Sequence, residues 1–346
     1  MLKEIAEGMA RILVPEETKI SKKLPVFYNP AMKRNRDLSV LLVKSLERKD
    51  MRLLDPLAGT GVRSIRLLLE AENSVVEILA NDGSLKAFET ILENIGQNKL
   101  SSDERIKASN LDANLFMRQN QGMDYIDIDP FGYPGPFLDS AIAGLARNGI
   151  IAVTATDTSA LAGSSPRACQ RKYWAKPLRD HAMHETGLRI LIRFVQLIGA
   201  MHERALQPIL SYYEKHYMRA FFLCEKGKEK VDKLISRHGM SGEAGPLWTG
   251  ILQDKNLLEK MIQNSRDTIE KNFISQLLAE SEIETVGFFA IPKLCKKYKL
   301  HKLESQDIVI KKIQKAGYLA ARTHFNPEGI RSNITEEELV GILKQG

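Results

Sequence analysis

A regular alternation of short apolar runs with helical segments constrains this chain more than any other feature of its sequence. The apolar runs have the length of buried strands, and segments with helical apolar spacing separate them. This alternation predicts an open parallel sheet covered by helices on both faces. The predicted strands are MRLLD (51–55), SVVEILAND (74–82), RIKASNLDA (105–113), DYIDID (124–129) and GIIAVTATD (149–157), and the helix GPFLDSAIAGLA is expected to end near Gly149.

The pattern changes in two steps after residue 157. Residues 185–203 predict a long helix, and residues 205–226 predict two strands of a hairpin around Glu214-Lys215-His216. A parallel sheet closed by an antiparallel hairpin is a signature of the class I (Rossmann-like) methyltransferase fold. Helical segments dominate beyond residue 227, so we predict a methyltransferase domain at 1–226 and a smaller, mainly helical α+β domain at 227–346.

The bulk composition favours an ordinary intracellular protein. The chain of 346 residues has no run of 18 apolar residues, and its N-terminus does not read as a signal peptide. Its three cysteines, Cys169, Cys224 and Cys295, form no CxxC pair, which favours reduced thiols and a cytoplasmic location.

Basic residues concentrate in three segments and are partly interleaved with aromatic residues. These segments are 19-KISKK-23, 167-RACQRKYWAKPLR-179 and 296-KKYKLHK-302, in a chain of net charge +7. Such a mixture can bind phosphates and stack on bases, but each segment alone is equally compatible with solvated surface. For Trp174, stacking on RNA and packing against a loop are equally supported.

The stretch 54-LDPLAGTGVRS-64 places Gly59 and Gly61 between a strand and a helix. Such a turn lets backbone approach a ligand and directs a helix N-terminus toward it. Asp55, Asp82 and Asp112 each end one of three consecutive predicted strands, and Asp82 is placed to accept hydrogen bonds from ribose hydroxyls. A GxG alone is weak evidence, and Asp82 alone could be a turn or cap residue.

The fourth strand distinguishes between nucleotide cofactors. NAD is disfavoured because Ser64 stands where the third glycine of GxGxxG would be, and no hydride partner is evident. Asp129-Pro130-Phe131 is similar to the (D/N)-P-P-(F/Y) motif of amino-group methyltransferases, one residue shorter. Asp129 and the Pro130 carbonyl can accept hydrogen bonds from an exocyclic amine, and Phe131 can stack on the flipped base.

The sequence resembles the tRNA (guanine-26) N2-dimethyltransferase family. The segments that carry this resemblance are 24-LPVFYNPAMKRNRD-37, 124-DYIDIDPFGYPGP-136, 153-VTATDTSALAGS-164, 184-HETGLR-189, 216-HYMRA-220, 245-GPLWTG-250 and 317-GYLAARTHFNPEGI-330. The resemblance implies transfer of methyl groups from S-adenosyl-L-methionine to the N2 amine of guanine 26 in tRNA, giving the monomethyl and then the dimethyl product.

The resemblance also implies residue roles. Asp129 is expected to be catalytic, Phe27 and Phe131 are expected to hold the guanine, and residues 227–346 are expected to help bind tRNA. The residues expected to contact S-adenosyl-L-methionine are Arg36, Arg63, Asp82, Asp112 and Ala113, beside Asp55, Gly59 and Gly61 of the glycine-rich turn.

The chain departs from many relatives in one interval. Where they carry the paired cysteines of a zinc site, residues 221–244 hold only Cys224, so we expect no bound metal. His238 nearby is expected to be exposed to solvent. His181 and His184 are expected to cap a helix or contact RNA, because HAMHE lacks the HExxH order.

Two other functions stay open at this point. One is methylation of a different amine, in DNA or in another RNA. The other is RNA binding by a protein whose catalytic site is inactive. The presence of Asp55, Asp82, Asp112 and Asp129 argues against this second function. No obligate protein partner is evident from the sequence.

Overall fold

The computed structural model describes residues 2–16, 26–300 and 304–344. The predicted basic segment 19–23 lies outside the described residues, as do residues 24 and 25 of the first family motif and residues 301 and 302 of the third basic segment.

Helices and strands alternate through the first half of the chain and mix with short hairpins in the second. The strands are β1 (Leu2–Glu7), β2 (Ala10–Pro15), β3 (Met51–Asp55), β4 (Val75–Asn81), β5 (Ile106–Ser109), β6 (Met123–Ile128), β7 (Leu145–Ala155), β8 (Arg204–Glu214), β9 (Tyr217–Lys226), β10 (His238–Ser241), β11 (Ala244–Trp248), β12 (Phe289–Ala290), β13 (Ala320–Arg322) and β14 (Gly329–Ser332). The helices are α1 (Lys33–Ser45), α2 (Val62–Glu70), α3 (Leu85–Gln97), α4 (Ala113–Gln119), α5 (Gly135–Gly144), α6 (Thr158–Leu161), α7 (Pro166–Tyr173), α8 (Met183–Met201), α9 (Lys228–Ile235), α10 (Lys255–Asn264), α11 (Thr268–Ser281), α12 (Ile291–Tyr298), α13 (Gln306–Lys315) and α14 (Glu336–Lys344).

The main sheet has seven strands in the order β5-β4-β3-β6-β7-β9-β8. The pairs β3–β4, β3–β6, β4–β5 and β6–β7 are parallel. Two residues connect β8 to its neighbour β9, which requires these strands to run antiparallel. The predicted mostly parallel sheet closed by a hairpin is confirmed.

The strand order reverses direction at β3, since β4 and β5 lie on one side of it and β6 on the other. In open α/β sheets, ligands bind outside the carboxyl ends of the strands at such a switch point. The carboxyl ends of β3 and β6 are therefore the expected location of a ligand site.

Two predicted element boundaries were wrong. Helix α5 ends at Gly144, not near Gly149, because β7 begins at Leu145 and continues through Asn148, whose φ is +60°. The pairing of β6 with β7 shifts register across this irregularity, which apolar spacing alone does not reveal. Strand β5 ends at Ser109, so Asp112 does not end the strand but is the N-cap of α4.

The chain folds into two compact units. The first consists of the described residues of Met1–Thr156, Ile198–Gln207 and Phe221–Val231, and the second of those of Asp157–Leu197, Pro208–Ala220 and Asp232–Gly346. The predicted domains at 1–226 and 227–346 stay a prediction.

The second unit is mainly helical beyond residue 232, as expected, but it also contains two small sheets that the sequence did not reveal. These are the hairpin β10–β11 and the three-stranded sheet in the order β12-β14-β13. Strands of two to five residues carry too little periodicity to be recognised.

A buried ionic network holds the second unit together. Glu185 of α8 accepts hydrogen bonds from Arg189, at 2.8 Å, and from Arg331 of β14, also at 2.8 Å. Arg331 reaches Glu280 at 3.3 Å, and His324 Nδ1 lies 2.7 Å from the same carboxylate. Glu185 and Arg189 belong to the motif HETGLR and His324 to the motif GYLAARTHFNPEGI, so the network gives these residues of the two motifs a structural role.

Candidate active site

The glycine-rich turn after β3 adopts a backbone that requires glycine. Gly59 and Gly61 have φ values of +57° and +74°. A Cβ on Gly59 would lie 2.7 Å from the Phe27 carbonyl oxygen, so the two chain segments touch through backbone. The Gly59 N–H donates to Asp82 Oδ2 at 3.0 Å, which ties the turn to the end of β4.

An open pocket of about 430 Å³ lies against this turn. The lining residues are Phe27, Tyr28, Asn29, Met32, Arg36, Asp55, Leu57, Ala58, Gly59, Thr60, Val62, Arg63 and Asp129. The structure thus brings six of the predicted site residues to one pocket: Phe27, Arg36, Asp55, Gly59, Arg63 and Asp129.

Arg63 of α2 is the centre of the polar contacts in this pocket. Its guanidinium forms ion pairs with Asp129 and, at 3.2 Å, with Asp127 of β6. It also donates to Asn35 Oδ1 at 2.8 Å and to Ser39 Oγ at 2.9 Å. A planar guanidinium with this many partners is fixed in position, so the orientation of Asp129 is fixed with it.

Asp55 is a buried acid of the site whose pKa is strongly shifted. Burial raises the pKa of Asp55 to about 7, with the neighbouring Asp127 and Asp129 carboxylates adding to the rise and Arg63 opposing it. Ser64 Oγ donates to Asp55 Oδ2 at 2.9 Å. An acid beside a pocket that titrates near neutrality is typical of functional sites.

The Asp129-Pro130-Phe131 turn is held on both sides. Pro130 is buried, whereas Phe131 is 45% exposed. The Phe131 ring meets the Phe27 ring edge to face, with centroids 5.7 Å apart. The Gly132 N–H donates to Thr156 Oγ1 at 2.6 Å, and the Thr156 N–H returns a bond to Gly132 O at 3.0 Å. The motifs DIDPFG and ATDTSALAG therefore meet at this turn.

Sequence reasoning missed the residues that support Arg36. Glu7 at the end of β1 accepts hydrogen bonds from Arg36 Nε at 2.6 Å and Nη2 at 2.5 Å, and from Tyr28 at 2.9 Å. Burial alone would raise the pKa of Glu7, but the bonds and charges of Arg36, Tyr28 and Arg66 lower it to about 2. Nothing in the first fifteen residues indicated an acid at this site.

Asp127 and Asn35 were also missed. Both are fully buried and both contact Arg63. The Tyr125 hydroxyl donates to Asp127 Oδ2 at 2.5 Å, which gives this buried carboxylate a second partner. The apolar–acidic alternation of DYIDID was the available signal, because an acid on the buried face of a strand needs a cation.

Six predicted site residues do not line the pocket: Gly61, Asp82, Asp112, Ala113, Pro130 and Phe131. Asp82 binds the backbone N–H groups of Gly59 and Ser84, and burial raises its pKa. Asp112 accepts from the N–H groups of Asn114 and Leu115, each at 3.0 Å, and Ala113 begins α4. Their roles toward a ligand stay predictions.

The expectation for His238 was wrong. The side chain is half-buried, Nε2 lies 2.8 Å from Gln196 Oε1, and burial lowers its pKa to about 4. Strand pairing between β10 and β11 places it on the packed side of a hairpin.

The other histidines and Cys224 have structural contacts. His184 stacks on Tyr213 with centroids 3.7 Å apart, and His181 meets Phe288 edge to face. Buried Cys224 lies 3.8 Å from Arg204 Nη1. Within residues 2–16, 26–300 and 304–344, no three His, Cys, Asp or Glu side chains are grouped as metal ligands.

The switch-point pocket, the glycine turn and the acid-proline-aromatic turn together define a class I methyltransferase that acts on an amino group. A match to one family model identifies the particular family within this class. The chain belongs to the N2,N2-dimethylguanosine tRNA methyltransferase family, whose model matches residues 8–243 and 238–344.

Curated relatives and a solved structure agree with this assignment. The chain is 38% identical to the tRNA (guanine(26)-N(2)/guanine(27)-N(2))-dimethyltransferase of Aquifex aeolicus, covering 99% of this chain and 95% of that protein. It is 35% identical to the tRNA (guanine(26)-N(2))-dimethyltransferase of Methanobrevibacter smithii, covering 99% and 97%. A solved complex of Trm1 from Pyrococcus horikoshii with S-adenosyl-L-methionine superposes with a TM-score of 0.87 at 32% identity, covering 99% of both chains.

The predicted family, fold, cofactor and activity are thereby confirmed: the chain is an S-adenosyl-L-methionine-dependent tRNA (guanine-N2)-dimethyltransferase. Among the described residues, no helix has the length and apolar content needed to cross a membrane.

Proposed function

We propose that Asp129 and the Pro130 carbonyl bind the N2 amine of guanine 26 while Phe27 and Phe131 hold the base. The observation that carries this proposal is that Asp129 lines the same pocket as the glycine-rich turn. The amine and the methyl donor can then meet at one place. We further propose that methylation occurs twice and that residues 227–346 help bind the tRNA.

The pocket residues fit the cofactor. Gly59 lines the pocket, and Asp82 accepts the Gly59 N–H with a carboxylate suited to hydroxyl donors. We propose that Arg36, Asp55, Gly61, Arg63, Asp112 and Ala113 complete the cofactor site. When bound, S-adenosyl-L-methionine supplies an electrophilic methyl group.

Asp129 activates the amine by accepting a hydrogen bond from one of its N–H groups. The lone pair of an exocyclic amine is delocalised into the ring, so an acceptor on N–H favours the geometry in which that lone pair points at the methyl carbon. A carboxylate has about four acceptor positions, so Asp129 can keep Arg63 and still accept from the amine. As the nitrogen bonds to the methyl carbon, the sulfur–methyl bond of the donor would break, and the proton that the nitrogen loses would pass to the Asp129 carboxylate.

The second transfer needs less from the site than the first. A monomethylated amine has one remaining N–H group, and the Asp129 carboxylate can accept its hydrogen bond. The Pro130 carbonyl then has no donor, and the first methyl group needs space on that side. The half-exposed Phe131 ring permits such space because its position is not enclosed on all sides.

A methyl-transfer assay with the purified chain tests this proposal. Unmodified tRNA with guanine at 26 should accept two methyl groups on N2, and tRNA with adenine at 26 should accept none. A further transcript lacking guanine at 27 shows whether that position also accepts, as the name of the Aquifex relative includes it. Methylation of a DNA oligonucleotide instead, or no transfer at all, would contradict the proposal.

The proposed function also bears on the location of the protein and on its need for partners. The acceptor is tRNA and the three cysteines form no disulfide, which support a cytoplasmic location. We propose that no obligate protein partner is needed, and full activity of the purified chain alone would agree with this.

A further inference from the structure

Helix α7 ends in an exposed aromatic residue with an unusual backbone. Trp174, the C-cap of α7, has φ +53°, and its side chain is 54% exposed. A left-handed backbone is unfavourable for a bulky residue, and glycine or asparagine is the usual choice at this point of a helix. The stability of the helix end does not explain a tryptophan here, and its contact with Phe194 leaves more than half of the residue exposed.

The indole is nevertheless held firmly. Its ring meets the Phe194 ring at 5.4 Å between centroids, and Phe194, 2% exposed, also meets Tyr173 at 5.3 Å. Arg193 Nη1 donates to the Trp174 carbonyl at 3.4 Å. The Tyr173 hydroxyl donates to Asp157 at 2.6 Å, which anchors the last turn of α7. Phe194 thus contacts one part of the indole, and the rest of the indole faces solvent.

The helix that presents Trp174 is basic. The sequence of α7, PRACQRKY, contains three cations and no acid. Arg167 and Arg171 are both exposed and, being four residues apart, lie on one face of the helix. Lys172 is bound to Asp157 at 3.1 Å, so it helps hold the helix in place. The exposed cations are thus adjacent to a rigid aromatic surface.

We propose that Trp174 stacks on a base of the tRNA substrate while Arg167 and Arg171 contact neighbouring phosphates. Aromatic side chains beside cations bind single-stranded or splayed nucleotides in this way, because every base has a π face and every phosphate a charge. The proposal rests on the proposed function, which supplies tRNA as substrate. A hydrophobic protein partner would need apolar neighbours around the indole, whereas the exposed residues of the last two turns of α7 are Arg167, Gln170 and Arg171.

Intrinsic fluorescence can isolate this residue. The chain contains two tryptophans, and Trp248 is fully buried. Adding unmodified tRNA to the full-length protein should quench the Trp174 emission and protect it from iodide. The Trp174→Phe variant, which retains only Trp248, should show neither change. Heparin serves as a polyanion without bases: it should bind without quenching.

Affinity measurements provide the second readout. Trp174→Gly removes the indole and suits a left-handed backbone, so the fold should be retained; we expect tRNA affinity to fall by about 5- to 150-fold. Trp174→Phe should retain most of the affinity, since a ring remains. Asn148→Gly is the matched control, because Asn148 is exposed with φ +60° and carries no charge, and it should bind tRNA as wild type does.

The outcomes separate this proposal from the proposed function. If wild type methylates tRNA but its emission is unchanged by tRNA and Trp174→Gly binds normally, the stacking proposal is wrong and the enzyme function stands. If wild type neither binds nor methylates tRNA, the proposed function itself fails. Quenching by tRNA together with weaker binding of Trp174→Gly supports the stacking site.

Discussion

Arg63 and Asp129 form an ion pair in the pocket, joining the first turn of α2 to the end of β6. Asp127, on the same strand, pairs with the same guanidinium at 3.2 Å. Arg63 therefore keeps one anionic partner if Asp129 is lost. Because Asp127 can still hold Arg63, a substitution at Asp129 tests mainly the chemical role proposed for Asp129.

Replacing Asp129 should damage the reaction far more than the fold. Asp129→Ala removes the proposed amine acceptor, and we expect a rate loss of about 10²-fold or more. Asp129→Asn should lose less, because an amide oxygen still accepts a hydrogen bond. Single-turnover kinetics at saturating tRNA and cofactor measures the step directly.

The control for this experiment lies on the same strand. Asp124 at the opposite end of β6 accepts the Arg52 N–H at 2.9 Å, away from the pocket lining. Asp124→Asn should leave the single-turnover rate close to that of wild type. A near wild-type rate for Asp129→Ala would mean that the turn is only structural.

Replacing Asp82 should weaken cofactor binding. Asp82→Ala removes both the proposed ribose acceptor and the partner of the Gly59 N–H, and we expect a loss of about 1–3 kcal/mol of binding free energy. Asp82→Asn keeps an oxygen for Gly59 and should lose less. Titration calorimetry with S-adenosyl-L-methionine gives these values, and unchanged affinity in Asp82→Ala would reject the placement.

Replacing Glu7 should lower the stability of the fold in a pH-dependent way. Glu7→Gln removes the carboxylate partner of the buried Arg36, which costs about 3 kcal/mol of unfolding free energy, while Arg66 keeps Asp37 and Glu70. Since the folded pKa of Glu7 is lowered from 4.5 to about 2, its stabilisation is complete above pH 4.5 and is lost as pH falls toward 2. Urea unfolding of wild type and variant at pH 7 and pH 3 should show a smaller difference at pH 3. A difference independent of pH would contradict the assigned charge.

The sequence predicted the parallel sheet because five buried strands separated by helices leave few alternatives. It predicted Asp55, Gly59 and Asp129 at one pocket because carboxyl ends of parallel strands share one edge. It did not predict Glu7, because Glu7 and Arg36 come from separate elements whose packing no local pattern encodes. It also misplaced His238, since the strands of the hairpin that buries this side chain have only four and five residues.

Metal content tests the interpretation of residues 221–244. We expect the protein to purify without stoichiometric zinc and to keep its activity in a chelator, because a single Cys224 cannot form a tetrahedral site. Elemental analysis of the purified protein measures this. One tightly held zinc ion per chain would show that other residues replace the missing cysteines.

The protonation of Asp55 gives a pH prediction of opposite sign to that of Glu7. Its folded pKa is raised from 3.8 to about 7, so between these values the folded protein binds the proton more tightly than the unfolded chain does. Asp55 therefore costs stability progressively as pH rises from about 4 to 7. Asp55→Asn cannot lose that proton, and its amide oxygen can still accept the Ser64 hydroxyl.

Relative to wild type, Asp55→Asn should therefore gain about 2–4 kcal/mol of unfolding free energy between pH 5 and pH 8, at 1.36 kcal/mol per pKa unit. Urea unfolding of both proteins at the two pH values measures the change, and effects of other titrating groups cancel in the comparison. An equal difference at pH 5 and pH 8 would mean that Asp55 does not titrate in this range. If Asp55→Asn were less stable than wild type by the same amount at both pH values, Arg63 would hold the carboxylate ionised, and Asp55 would then be a permanent anion beside the pocket.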